Sequence, residues 1–243
     1  MMPSPTRPLL TIVHLYPEQM NIYGDLGNVL TISRRAQWHG YEAEVVAHHP
    51  GRPFPKNADI IIGGGGQDSG QQMVQDDLLA IGDVLHALAD KRVPMLMVCG
   101  LYQLFGRFFE TSEGERIEGI GIFHAETHGG PRRLIGNVTS ETPFGPVVGY
   151  ENHSGLTVHG NGQAALGRVA KGEGNNGKDR GEGAVYKRVI GTYLHGSLLP
   201  KNPRLADWLL EAAAVNRYGS FQPAHIDDRY ADRARSVAMA LSR

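Results

Sequence analysis

With 243 residues and 41% hydrophobic content, the chain is long enough to bury a full core, and no linker or internal repeat divides it. Twenty-four basic against 25 acidic residues leave a formal charge of −1, with no basic stripe to grip a phosphate backbone, so nucleic acid is not an expected partner. The one cysteine excludes an intrachain disulfide framework, no apolar stretch reaches the roughly 20 residues that span a bilayer, and the proline-broken opening MMPSPTRP lacks a signal-peptide core. A cytoplasmic protein is expected.

In chain order, LLTIVHLY (9–16), AEVVAH (43–48), DIIIGGGG (59–66) and MLMVC (95–99) read as short apolar strands of a parallel sheet buried on both faces. Between them, Asp25 caps an apolar stripe that runs to Trp38. A second stripe, Val74, Leu78, Ile81, Leu85 and Leu88, recurs at helical steps until Lys91, Arg92 and Pro94 end it. This alternation predicts a doubly wound α/β sheet, with ligands in the crevice beyond the carboxyl ends of its strands.

The second half is less regular. GPVVGYE, AALGRVA, GAVYKRVIG and TYLH are strand candidates divided by glycine-rich turns, which suits a mixed or antiparallel extension of the same sheet. KGEGNNGKDRGEG (171–183) lacks the arrangement of a phosphate loop and reads as a mobile hairpin loop. Asn202 and Pro203 start a last clear helix that ends at Gly219. The expected organisation is one domain over 1–243, with a core of about 9–219 and residues 220–243 as an appended helical tail.

Cys99 falls between four apolar residues and a stretch, Leu101, Leu104, Phe105 and Phe108, with helical spacing. A thiol on a strand-to-helix turn is the setting of a nucleophile elbow, where backbone N–H groups of the helix favour the thiolate. The competing reading is a buried cysteine that acts as a small hydrophobe. A thiolate in acyl transfer also needs a base and proton donor, and His195 in GTYLHG, one of eleven histidines, ends another apolar strand. The glycines of IIIGGGGQD could supply oxyanion N–H groups together with Gly100, although alone they mark only a turn. Two histidine pairs, His48 with His49 and His124 with His128, lack a complete ligand set, so no metal site is assigned.

The motifs GGGGQD, VCGLYQ, GYENHSG and GTYLHG, in this order, resemble the class I glutamine amidotransferases of the cobyric acid synthase (CobB/CobQ) type. Within that group, NIYGDLGN, RRLIGNV and GTYLHGSLLPKNP are similar to the glutaminase subunits of lipid II isoglutaminyl synthase. The resemblance implies a flavodoxin-like doubly wound domain in which Cys99 attacks the side-chain amide of L-glutamine, with a thioester intermediate and release of ammonia, while His195 transfers protons. It further implies Gly100 and one of Gly64, Gly65 and Gly66, with Gly65 chosen, as oxyanion donors, Arg133 as the holder of the substrate carboxylate, and Gln103 with Glu151, Asn152 and His153 as candidate pocket residues. Ser197 stands where many class I enzymes carry a glutamate, which leaves a Cys/His dyad with no identified orienting group. Leu101 replaces a glycine common in related elbows and is expected to narrow the crevice.

No Walker-type motif is present, so this subunit is expected to carry no cofactor. ATP and Mg would belong to a Mur-ligase-like partner (MurT) in a heterodimer that amidates the α-carboxylate of D-glutamate in membrane-borne lipid II, at the inner face of the membrane and with no membrane insertion of this chain. Two alternatives stay open: a DJ-1-like thiol hydrolase of the same fold, and a non-catalytic phosphate-binding or nucleotide-binding module.

Overall fold

The computed structural model describes residues 7–195 and 198–241, so the first six residues and the Ser197 position lie outside the described residues. Strands β1 (Leu9–Leu15), β2 (Glu42–His48), β3 (Ile60–Gly63) and β4 (Met95–Val98) alternate with helices α1 (Leu26–Trp38), α2 (Asp68–Ala80) and α3 (Gly82–Asp90). The short helix α4 (Gly100–Phe105) leads to β5 (Phe108–Glu110), β6 (Arg116–Glu118) and the long pair β7 (Ala125–Thr142) and β8 (Gly145–His159). Strands β9 (Gly167–Lys171), β10 (Gly181–Glu182), β11 (Ala184–Tyr186) and β12 (Val189–Thr192) follow, then α5 (Leu198–Lys201), α6 (Pro203–Tyr218) and α7 (Arg229–Ala240).

The first sheet has the order β2-β1-β3-β4-β12-β11, parallel throughout except for β11, which runs antiparallel to β12. With β12 as the fifth parallel strand this is the flavodoxin-like order, whose chain reversal lies between β1 and β3. Every residue of β3, β4 and β12 is buried, as the continuous apolar runs require of strands covered on both faces. Strand β2 lies at the edge and is mostly exposed, so its apolar run does not report burial on both faces.

The expected extension of this sheet consists of β11 alone. The remaining strands form a second, mostly antiparallel sheet ordered β10-β9-β7-β5-β6, with β8 paired to β7. Its spine is the β7–β8 hairpin, too long to add to an edge already filled by β11, and its register slips between Gly129 and Leu134. The helix expected through residue 88 divides at Ile81, because Gly82 abuts the Ile120 side chain and carries little helix propensity. Phe108 belongs to β5, since α4 ends at Phe105.

The loop at 171–183 is a hairpin connection, as expected, but a pinned one. Asn175 exchanges hydrogen bonds with the backbone of Gly183, and Asn176 accepts from the N–H groups of Lys178 and Asp179, so side chains satisfy backbone that no strand pairs.

The tail is tied down electrostatically. Arg35 on α1, only 3% exposed, donates to both carboxylate oxygens of Asp207 on α6 at 2.6 and 2.7 Å and to Asp228 before α7 at 2.6 and 3.1 Å. His39 accepts the Ala224 N–H on Nδ1, which leaves Nε2 to donate to Asp207 at 3.1 Å. Burial pushes the Asp207 carboxyl up, but Arg35 and His39 hold it below the usual carboxylate range. Replacing Arg35 by alanine strands two carboxylates, and the expected loss is about 2–4 kcal/mol in urea denaturation, lessened by their partial exposure. Tail residues 220–241 should then be cleaved first in limited proteolysis.

Candidate active site

Cys99 occupies the turn between β4 and α4 at φ 49° and ψ −102°, a left-handed backbone that a non-glycine residue holds only under constraint. Hydrogen bonds supply that constraint. The Cys99 N–H donates to the Thr192 carbonyl at 2.8 Å, and its carbonyl accepts from Gln103 N–H at 2.9 Å. The thiol-bearing residue is 5% exposed and lines a cleft of about 360 Å³ between the two sheets. It is therefore buried but reachable.

Three loops at the carboxyl ends of adjacent strands converge here. The glycine run follows β3, Cys99 follows β4 and His195 lies three residues beyond β12. A Cβ built on Gly65 would stand 2.6 Å from His195 Cε1 and 3.2 Å from Cys99 Cβ, so imidazole and thiol flank one glycine that has no room for a side chain. Neighbouring glycines are equally tight: Gly63 meets the Leu101 side chain, and Gly64 meets the Met20 carbonyl and Asp25. Leu101 is thus turned into the core and does not narrow the cleft.

His195 is fully buried, and its Nδ1 lies 3.1 and 3.2 Å from the two carboxylate oxygens of Asp25. Asp25 also accepts the Gly65 N–H at 2.7 Å. This orients the ring, with Nδ1–H donating to Asp25 and Nε2 turned to the side of Cys99. Burial pushes the imidazole pKa down, but the negative charge of Cys99, followed by Asp25, outweighs it and leaves the pKa raised to about 10. A negative charge on Cys99 and a proton on the ring thus support one another.

Asp25 is the site residue that sequence reading missed. Its position before the α1 stripe marked it as a helix cap, yet its side chain makes no cap hydrogen bond and serves the site instead. The available signal was NIYGDLGN, a glycine-flanked acid just beyond β1, on one side of the chain reversal.

The assignment of Gly65 as an oxyanion donor is corrected, because its N–H is committed to Asp25. Gly66 takes its place geometrically. It lines the cleft, its nitrogen would lie 3.0 Å from a Cβ on Gly100, and neither its N–H nor that of Gly100 has an acceptor among the described residues.

The second sheet builds the opposite wall. Arg133, from the irregular stretch of β7, lines the cleft and donates through Nε and Nη2 to the side chain and carbonyl of Asn152 on β8, which leaves Nη1 uncommitted among the described residues. His153 also lines it, stacked on the Tyr193 ring at 3.6 Å. Gln103 reaches the cleft, but it accepts from Gln71 and donates to the Tyr193 hydroxyl, so it shapes the floor. Glu151 does not line the cleft; it is fully buried and accepts the backbone N–H groups of Glu173 and Gly174.

Residues 11–203 match the CobB/CobQ-like glutamine amidotransferase domain family. The chain belongs to that family. It is 38% identical over 231 residues to the lipid II isoglutaminyl synthase (glutamine-hydrolyzing) subunit GatD of Staphylococcus aureus (strain N315), covering 94% of each chain. It is 37% identical to the subunit of the same name from Streptococcus pneumoniae (strain ATCC BAA-255 / R6), covering 86% of this chain and 82% of that one. It is also 29% identical to a cobyric acid synthase of Sphingopyxis alaskensis, but covers only 40% of that longer protein. Among solved structures, one described as a glutamine amidotransferase superposes with a TM-score of 0.59 at 17% identity, over 84% of this chain and 99% of that one. The glutaminase domain of Trypanosoma brucei CTPS superposes with a TM-score of 0.53 at 13% identity, over 89% and 98%. These two likenesses speak to the fold. The domain is a glutamine amidotransferase, a glutamine-hydrolysing unit with an α/β architecture, as its motifs implied.

Gly65 offers a direct check on this geometry. A Gly65→Ala chain should fold, yet the added methyl must displace the imidazole, and the alkylation rate of Cys99 by iodoacetamide at neutral pH should fall about tenfold or more.

Proposed function

We propose that this glutamine amidotransferase is the glutaminase subunit of a lipid II isoglutaminyl synthase. In this reading it hydrolyses L-glutamine and passes ammonia to a Mur-ligase-like subunit, which uses ATP and Mg to amidate the α-carboxylate of D-glutamate in the stem peptide. Two relatives at 37–38% identity carry that name over most of their length. The single observation that carries the chemistry is the meeting of Cys99, His195 and Asp25 around Gly65 at the edge of an open cleft.

The steps follow from the geometry. The Cys99 sulfur adds to the amide carbon of the glutamine side chain, and the carbonyl electron pair moves to oxygen. That oxyanion is directed at the N–H groups of Gly66 and Gly100, whose orientation costs no rearrangement during reaction. The imidazolium of His195 gives its Nε2 proton to the amide nitrogen, the C–N bond breaks, and ammonia leaves behind a thioester. Neutral Nε2 then takes a proton from water as its oxygen attacks the thioester carbon. The C–S bond breaks with its electron pair going to sulfur, glutamate departs, and the thiolate–imidazolium pair is restored. Throughout, Asp25 keeps the ring oriented and offsets its positive charge.

Substrate binding divides between the walls. The free edge of Arg133 suits the α-carboxylate of glutamine, and Asn152 holds the guanidinium in place by two hydrogen bonds. No helix among the described residues is long and apolar enough to cross a membrane. The complex would work at the cytoplasmic face, where lipid II presents its stem peptide.

Cys99→Ala and His195→Ala should each lower ammonia release from L-glutamine by about 10³-fold or more, and Asp25→Asn by about 10–10³-fold. Equal activity in any of the three would defeat the assignment. Arg133→Ala should raise KM for glutamine at least about tenfold with a smaller change in kcat, because the carboxylate contact is the same in ground and transition states. Co-expression with a Mur-ligase-like subunit should yield a complex whose amidation of lipid II requires ATP, while the Cys99 and His195 variants keep their loss of glutamine hydrolysis in the complex.

A further inference from the structure

Two fully buried acids, Glu151 and Glu182, have no part in the site described so far, and Glu182 is the one bonded to the segment that carries His195. Glu182 is fully buried on β10, the last strand of the second sheet, immediately before the chain turns at Gly183 (φ 62°) into β11 of the first. Its Oε1 accepts the Thr192 hydroxyl at 2.5 Å and the Tyr193 N–H at 3.1 Å, while Oε2 has no hydrogen-bond partner among the described residues. Thr192 Oγ1 in turn accepts the Leu194 N–H at 3.1 Å. These are the three residues that carry the chain from the end of β12 to His195. Beyond β12 they have no strand to pair with, so one carboxylate and one hydroxyl satisfy their donors instead.

We propose that Glu182 is a positioning residue of the thiol–imidazole pair: its carboxylate clamps the turn at Thr192 and Tyr193 from which His195 is presented to Cys99. This rests on the Cys99–His195 pair described above, but not on the identity of the amide substrate.

The clamp acts at both ends of the segment. On the far side, His195 is held by two backbone hydrogen bonds with Tyr150, at 2.8 and 3.3 Å, so Glu182 and β8 fix the segment from opposite sides. In the middle, the Tyr193 hydroxyl accepts from Gln103 and bonds Thr157, and its ring supports His153 in the cleft wall. A displaced turn would therefore move the imidazole and the cleft lining together.

The choice of an acid over an amide adds a second effect. A glutamine would offer the same two donors a neutral and weaker acceptor and would leave its amide N–H2 buried where Oε2 now has no hydrogen-bond partner among the described residues, though without the cost of a buried charge. Burial, reinforced by Glu151 on β8, raises the Glu182 carboxyl to about 7 against the opposing pull of Thr192, Tyr193 and His195. Among the described residues the titratable groups that face it are thus Glu151, Tyr102 and His195, beside the two neutral donors, and His153 lies 3.9 Å from Glu151. As pH rises through neutrality Glu182 gains its charge, which favours the imidazolium form of His195.

The test compares Glu182→Gln with Thr192→Val in the full chain, reading the pH dependence of Cys99 alkylation by iodoacetamide and the kcat and KM for glutamine. Glu182→Gln should keep KM within about twofold, lower kcat about tenfold, and flatten the change in alkylation rate that wild type shows between about pH 6 and 8. Thr192→Val, which removes only the hydroxyl, should lower both rates several-fold yet keep the wild-type pH profile. Should Glu182→Gln fail to fold, a Thr192→Val chain with unchanged rates would overturn the clamp. A Glu182→Gln profile superimposable on wild type, with unchanged kcat, would overturn the proposal outright. If alkylation responds as expected but wild type hydrolyses no glutamine, the proposed function fails and the clamp stands.

Discussion

One carboxylate holds the centre of this molecule together. Asp25 accepts a backbone N–H from Gly65 and a ring N–H from His195, and so joins the loop after β1, the loop after β3 and the segment after β12. The three loops lie across the reversal point of a doubly wound sheet, where the chain leaves a crevice that no strand fills. Without a shared acceptor, the Gly65 N–H and the imidazole N–H would be buried donors with nothing to bond, each costing roughly 1–3 kcal/mol. The contact thus serves folding and chemistry at once, because the same bond that satisfies the ring fixes which nitrogen faces the sulfur.

Close packing makes that contact possible. Four consecutive glycines take the β3–α2 loop through a gap bounded by Leu101, Met20, Asp25, His195 and Cys99, and at each of them an added Cβ would meet a neighbour at less than contact distance. Their use here is steric rather than conformational, since none of the four has a positive φ. The conformational strain lies one strand away, at Cys99, whose left-handed backbone is held by hydrogen bonds to Thr192 and Gln103. Permissive residues and the strained residue therefore occupy separate loops, which lets the elbow stay sharp while its surroundings stay close.

Much of this was legible because its signals are local. The apolar runs of β1, β3 and β4, the stripe of α1, the Pro203 start and Gly219 stop of α6, and the placement of Cys99 and His195 at strand ends all follow from periodicity and turn chemistry. What was not legible depends on contacts between distant segments. Asp25 and His195 are 170 residues apart, and no spacing rule links an acid that looks like a helix cap to an imidazole near the other end of the chain. Gly65 was misassigned for the same reason: a run of glycines offers several N–H groups, and only the position of Asp25 shows which one is taken. The separate second sheet was hidden because alternating strands do not reveal which sheet they join, and β11 alone carries the antiparallel extension.

The division into two sheets has a consequence for how such a site works. The reacting groups and the oxyanion donors sit at strand ends of the first sheet, whereas Arg133, Asn152 and His153 reach the cleft from the β7–β8 hairpin. The hairpin wall can vary in what it binds without disturbing the thiol, because among the described residues Arg133, Asn152 and His153 share no hydrogen bond with Cys99 or His195. The segment that joins the two sets runs from β10 through β11 and β12 to His195, and its residues touch both. Tyr193 belongs to it, bonded on one side to Gln103 behind the elbow and stacked on the other against His153 in the wall. A substrate that presses on the wall therefore has two short mechanical routes to the imidazole, one through Tyr193 and one through the Tyr150 backbone, and the buried acid Glu182 braces the first of them.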